Sequence, residues 1–232
     1  MSKLSSLSPA WLKFPLALPL LLLMLPMPAQ ADEIAVWNFN NSDLSISHGA
    51  GTLTTNFNLA NVLFSFGGTG VNARLGDTAG QSLTLQGGTS LANNGRDLTF
   101  SVSTVGFTNI IVSFAAQATS TGFNNNQFQY SADGGATFTT FGGAFGPGIS
   151  FSTLSFDLSA ITVLNNNPNV VFRILFDGAS SSTGNNRLDN IVVEGTASMT
   201  PVPEPATIAL LGTGLATLAG KLRRRRKAIG KN

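Results

Sequence analysis

Between Asp32 and about Ser198 the chain alternates apolar and polar residues with a period of two, punctuated by glycine and asparagine. Leu98, Phe100 and Val102 interleave with Thr99, Ser101 and Ser103, and Ile110, Val112, Phe114 and Ala116 with Ile111, Ser113, Ala115 and Gln117. Leu83 and Leu85, and Leu154, Phe156 and Leu158, repeat the pattern. Successive side chains of a strand point to opposite faces, so this period predicts sheets with one face buried. Turn chemistry falls between the runs, at Gly67-Gly68, Asn93-Asn94-Gly95, Asp133-Gly134-Gly135 and Asn165-Asn166-Asn167-Pro168. Roughly ten short strands are expected, arranged as an all-β, antiparallel, jelly-roll-like sandwich. No helical pattern intervenes, which disfavours a parallel α/β fold.

Such a domain must be stable by packing alone, because the chain has no cysteine. A domain of about 170 residues buries roughly 70% of its unfolded surface. Most of the 17 phenylalanines lie in this stretch and are available to fill the core. Disorder is excluded by a hydrophobic content of 43%. The formal net charge of +2 conceals a strong asymmetry, because lysine and arginine crowd the two ends. Residues 32–200 keep only Arg74, Arg96, Arg173 and Arg187 against ten carboxylates, a net −6. A nucleic-acid partner needs a basic face to displace phosphate counterions, and this domain has none.

The chain contains little that resembles catalytic machinery. His48, the one histidine, sits in Ser47-His48-Gly49-Ala50-Gly51 with no partner fixed by sequence. Asp133, Asp157, Asp177 and Asp189 are candidates for a glycosidase carboxylate pair, but each falls at a strand end or turn, where aspartate caps backbone amides. No H-E-x-x-H, G-x-S-x-G or P-loop is present. Asp189 and Asn190 offer oxygens of the kind calcium takes, yet without further ligands they define no metal site. No cofactor is implied. Ser131 to Phe138 matches the Asp-box pattern S-x-D-x-G-x-T-[WF], predicting a hairpin capped by Asp133 and anchored by Phe138.

Binding has better candidates. Alternation through Phe128-Gln129-Tyr130 puts Gln127 and Gln129 on the face away from Phe128 and Tyr130. Val170-Val-Phe-Arg173-Ile-Leu-Phe176 is apolar except for Arg173, which must reach a partner or solvent. Amide and guanidinium donors on one sheet face suit sugar hydroxyls or uronic acids, with pairing of Arg173 to an acid as the plainer alternative.

The ends carry addresses. Residues 1–31 have the form of a secretory signal peptide: Lys3 and Lys13, an apolar run from Leu16 to Leu25, and a small-x-small site at Ala29-Gln30-Ala31. Pro19, Pro26 and Pro28 weaken the alternative of a lasting membrane helix, since an interior proline costs ~3 kcal/mol. Residues 199–232 form the other end. Pro203-Glu204-Pro205 leads into an apolar segment and then Lys221, Arg223, Arg224, Arg225, Arg226 and Lys227. A transmembrane helix is expected over 206–222, with the basic tail 221–231 as its cytoplasmic stop. Each proline confines the residue before it to extended geometry, the form in which a protease takes its substrate.

This three-part tail, over residues 201–227, resembles the PEP-CTERM sorting signal of Gram-negative bacteria. The resemblance implies that an exosortase, a membrane protease-transpeptidase, recognises Pro203-Glu204-Pro205 and removes the helix. It also implies a cell-surface or biofilm-matrix destination, with exopolysaccharide as a companion. The central stretch is similar to jelly-roll domains borne by such tails, in Trp37-Asn38-Phe39, in the Tyr130 to Gly135 hairpin and in residues 186–193. The expected protein is therefore non-enzymatic, exported by signal peptidase and the general secretion machinery, and delivered by exosortase. A lectin-like module binding through Gln127, Gln129 and Arg173 is the first rival, and a secreted hydrolase using His48 or an aspartate the second.

Overall fold

The computed structural model describes residues 31–74 and 76–198, with 212–215, 217–219, 221 and 223 of the C-terminal tail. Residues 1–30 of the expected signal peptide, including Ala29, and the Pro203-Glu204-Pro205 motif lie outside the described residues, as do Arg224, Arg225, Arg226 and Lys227; Ala31, the last residue of the expected peptide, opens the first strand opposite Thr196. Residues 212–215 and 217–219 are helical and exposed. Among the described residues no helix is long and apolar enough to cross a membrane.

Among the described residues twelve strands form two antiparallel sheets. The first contains β1 (Ala31–Trp37), β2 (His48–Gly49), β4 (Val62–Gly67), β5 (Gln81–Gln86), β7 (Phe107–Ala118), β10 (Ser152–Asp157) and β12 (Asn185–Ala197). Its path runs β10-β7-β12-β1-β2, with β5 also on β12 and β4 on β5. The second sheet contains β3 (Thr52–Thr55), β6 (Arg96–Val102), β8 (Gln127–Ser131), β9 (Thr139–Thr140) and β11 (Val170–Phe176), ordered β3-β6-β11-β8-β9. The excess over the expected ten strands comes from β2 and β9, two residues each, which are too short for periodicity to announce.

Alternation decides which face is buried. In β6, Leu98, Phe100 and Val102 are buried while Thr99 and Ser101 face outward. Phe172 and Ile174 of β11 and Phe128 of β8 join them. From the first sheet come Trp37, Ile110, Val112, Phe114, Leu83, Leu188 and Ile191. Phe128 stacks on Phe156 at 4.0 Å between centroids, joining β8 of one sheet to β10 of the other. A second aromatic group, Phe57, Phe123 and Phe176, meets edge to face at 5.5–5.6 Å. Each such pair contributes ~0.5–1.5 kcal/mol beyond its burial, which is how a chain without disulfides holds two sheets together.

The expectation of one buried and one wet face fails on part of the seven-stranded sheet. Ser113 and Ala115 point outward from β7 yet are buried. The segment after β4 lies over them: the Asn72 amide donates to Ser113 Oγ at 3.1 Å and to the Asn190 carbonyl at 2.8 Å. It passes so close that a Cβ on Gly68 would lie 2.4 Å from Asp189 Oδ2.

All the core residues lie between Ile34 and Val193, and the first strand pairs with the last, Asp32 opposite Gly195. Residues 31–198 thus close on themselves and supply a complete core, the condition for folding alone.

Candidate functional site

The outer face of the five-stranded sheet is polar and is ordered by strand register. One row runs Thr54, Thr99, Arg173, Gln129, Thr140 across all five strands. Arg173 lies at its centre because β11 is the middle strand. Its Nε donates to Gln129 Oε1 at 2.8 Å, with Nη2 donating to the same oxygen, and Gln129 Nε2 donates to Thr140 Oγ1 at 3.1 Å. Gln127, opposite Leu175, shares this face in the next row. The three residues singled out for binding therefore stand on one surface.

Arg173 has a glutamine partner rather than the acid weighed in the sequence. Among the described residues no carboxylate lies within 4.0 Å of it, whereas Arg74 meets Glu194 at 3.3 Å. Its guanidinium carbon lies 3.7 Å from the centroid of the Phe138 ring. Phe138 was expected to anchor its hairpin. Its ring does cover Gly135 of that turn and, half-buried on the outer face, also lies against Arg173; a planar cation on a ring is worth ~0.5–2 kcal/mol.

The Asp-box hairpin that delivers Phe138 is held as its sequence requires. Gly134 and Gly135 take φ of 74° and 91°. Asp133 Oδ1 accepts from Ser131 Oγ at 2.6 Å and from the Thr137 amide at 3.0 Å, and Oδ2 accepts from Thr137 Oγ1 at 2.6 Å. The Ser131 hydroxyl, then Thr137, hold the Asp133 carboxyl down to about 2. Beside Arg173 the same face opens into a cleft of ≈ 450 Å³ lined by Gly51, Thr52, Ser101, Asn169 and Val171.

The other candidates are committed elsewhere. His48 Nε2 lies 3.3 Å from Asp77 Oδ2, and that oxygen accepts from Asn38 Nδ2 at 2.8 Å. The neighbouring Ser47 hydroxyl donates to Asn38 Oδ1, not to the imidazole. Asp157 Oδ1 accepts from the Ser159 amide and Asp177 Oδ1 from the Gly178 amide, as caps do. Asp189 is 1% exposed and accepts from the amides of Thr69 and Asn190. Burial pushes its carboxyl up to about 6, against the pull of those amides, and Asp77 adds to the rise. Asn190 donates its amide to the carbonyls of Thr69 and Val71, so the pair considered for calcium fastens the covering segment to β12.

Residues 201–227 match the PEP-CTERM protein-sorting motif. The chain thus carries the sorting signal of a secreted protein addressed to exosortase. No curated protein matches the sequence. Several solved structures share the sandwich. TmCBM61 in complex with β-1,4-galactotriose is 9% identical with a TM-score of 0.41, over 67% of this chain and 92% of its own. The CBM22-1 xylan-binding domain of Paenibacillus barcinonensis Xyn10C is 11% identical with a TM-score of 0.46, over 73% and 97%. The K2 cleaved adhesin domain of Lys-gingipain is 12% identical with a TM-score of 0.44, over 68% and 96%.

Proposed function

We propose that the protein is a non-enzymatic component of a bacterial surface or exopolysaccharide matrix. The general secretion machinery exports it across the inner membrane of a Gram-negative cell, and signal peptidase cuts after Ala31. The 206–222 helix holds it in the membrane until exosortase cuts near Pro203-Glu204-Pro205. The observation that carries this reading is the sorting motif over residues 201–227. The last described backbone bond of the body joins the Ser198 amide to the Gly106 carbonyl, five positions before Pro203 in the sequence.

Intact-mass measurement of surface material tests this. It should show a chain lacking residues 1–31 and the segment after the Pro-Glu-Pro motif, and that material should focus at acidic pH although the full sequence has a pI near 9.3. Residues 206–232 still attached in exosortase-competent cells, or unchanged processing after alanine replaces Pro203, Glu204 and Pro205, would overturn the reading.

The Arg173 row favours a second reading, in which the domain binds matrix polysaccharide. A guanidinium fixed by Gln129 and Phe138, with no carboxylate beside it among the described residues, keeps donors open for a sugar acid. Retention on immobilised polygalacturonate that is lost in Arg173→Ala would support it. Equal retention of that variant would remove Arg173 from the site.

A further inference from the structure

The phenylalanines of the domain divide unevenly. Phe39, Phe57, Phe100, Phe114, Phe123, Phe128, Phe172 and Phe176 are buried, and Phe64, Phe107, Phe141, Phe145 and Phe156 pack against the core. Among the described residues three remain outside it: Phe66, Phe138 and Phe151. These are the three that lie against guanidinium groups. Phe138 meets Arg173 on the five-stranded sheet, while Phe66 and Phe151 flank Arg187 on the seven-stranded sheet.

Arg187 projects outward from β12, since its neighbours Asn186 and Leu188 are buried. Its guanidinium carbon is 5.4 Å from the Phe66 centroid and 5.8 Å from that of Phe151, within cation–π range. Phe66 arrives from β4 and Phe151 from the residue before β10, so two distant segments converge on one arginine. Its Nη1 donates to the Gly67 carbonyl at 3.2 Å. Among the described residues no carboxylate lies within 4.0 Å of Arg187. A guanidinium has five N–H donors, so most of the fork stays open. Gln117 of β7 stands opposite Arg187, as Gln129 of β8 stands opposite Arg173. Phe66 is 39% exposed, so part of its ring face is open beside the guanidinium.

We propose that Arg187, Phe66, Phe151 and Gln117 form a second site for the carboxylate of an acidic polysaccharide. Together with Arg173 it makes the domain a two-sided cross-linker of such chains. The second half rests on the polysaccharide reading of Arg173; the Arg187 site stands on its own geometry. The sheets pack ~10 Å apart and the arginines point away from one another, so one domain holds two strands without collision. The net charge of −6 opposes polyanion approach at long range. At physiological salt that repulsion is screened beyond ~8 Å, and contact at each fork survives.

The test uses residues 31–198 with trigalacturonate, followed by calorimetry, and with polygalacturonate, followed by light scattering. The domain should bind two trigalacturonates, and scattering should pass through a maximum as the protein-to-polymer ratio rises. Arg187→Gln should bind one and lose that maximum, with its melting temperature retained. Phe151→Leu, the fallback should Arg187→Gln fail to fold, should weaken the second site about tenfold, the scale of a lost ring–guanidinium contact. One site in the native domain, unaffected by Arg187→Gln, would overturn the second site yet leave the Arg173 reading standing. Binding confined to Arg187 would overturn cross-linking and the Arg173 reading while keeping the new site. No binding to either probe would overturn both.

Discussion

Asp189 shows what burial does to a carboxylate that two amides only partly compensate. Its carboxyl, held at about 6 in the folded domain, takes up a proton more readily than the unfolded chain's aspartate, which titrates near ~3.9. Folding therefore binds a proton between these values, and the stability Asp189 contributes falls as pH rises from about 4 to about 6. Thermal melts of residues 31–198 across that window should show this decline relative to Asp189→Asn, whose side chain does not titrate. Parallel curves would refute the raised carboxyl. None of this was readable from the sequence, where Asp189 follows Arg187 at the start of an apolar run. Its burial depends on Gly68 and Thr69, more than a hundred residues earlier. Arg173 was legible because its own strand is otherwise apolar. Arg187 was not, because the rings that flank it come from β4 and from the approach to β10.

The Asp-box hairpin is the element whose sequence most nearly dictates its structure. The side-chain bonds that cap it are local, from Ser131, Asp133 and Thr137, and two glycines take the left-handed turns, while Asn167 and Asn169 brace it from outside through the Ala132 carbonyl and the Gly134 amide. The Asp133 carboxyl is lowered, so the capping it gives is complete above about pH 4 and is lost as pH falls through about 2. The Thr137 amide resonance should titrate with a midpoint near 2, and Ser131→Ala should move that midpoint up toward the ordinary carboxylate value. A midpoint unchanged by Ser131→Ala would show that the hydroxyl does not hold the carboxyl down. The strands with four or more alternating residues were legible for the same reason of locality. The segment over Ser113 and Ala115 was not, because its fastening through Asn72 and Asn190 is long-range and follows no period. The hairpin also shows the limit of local reading: Phe138 covers Gly135 of its own turn as the pattern expects, but its second contact, Arg173, lies on β11 and follows from no local pattern.

At the scale of the molecule, the C-terminal address was the most legible part, because sorting machinery reads short linear patterns. The fold class followed from alternation, whereas strand order needed the structure. β12 is both the last strand of the sandwich and one of its most enclosed, bonded to β7 on one side and to β1 and β5 on the other. This placement has a mechanical consequence. A pull on the segment after Ser198 acts along the axis of β12 and loads both ladders of hydrogen bonds in shear, so many bonds share the force. An edge strand pulled sideways would yield one bond at a time. Were the domain held at the surface by its C-terminal end, as proposed above, load would enter along β12, be shared by both ladders, and reach Arg187 along a single strand.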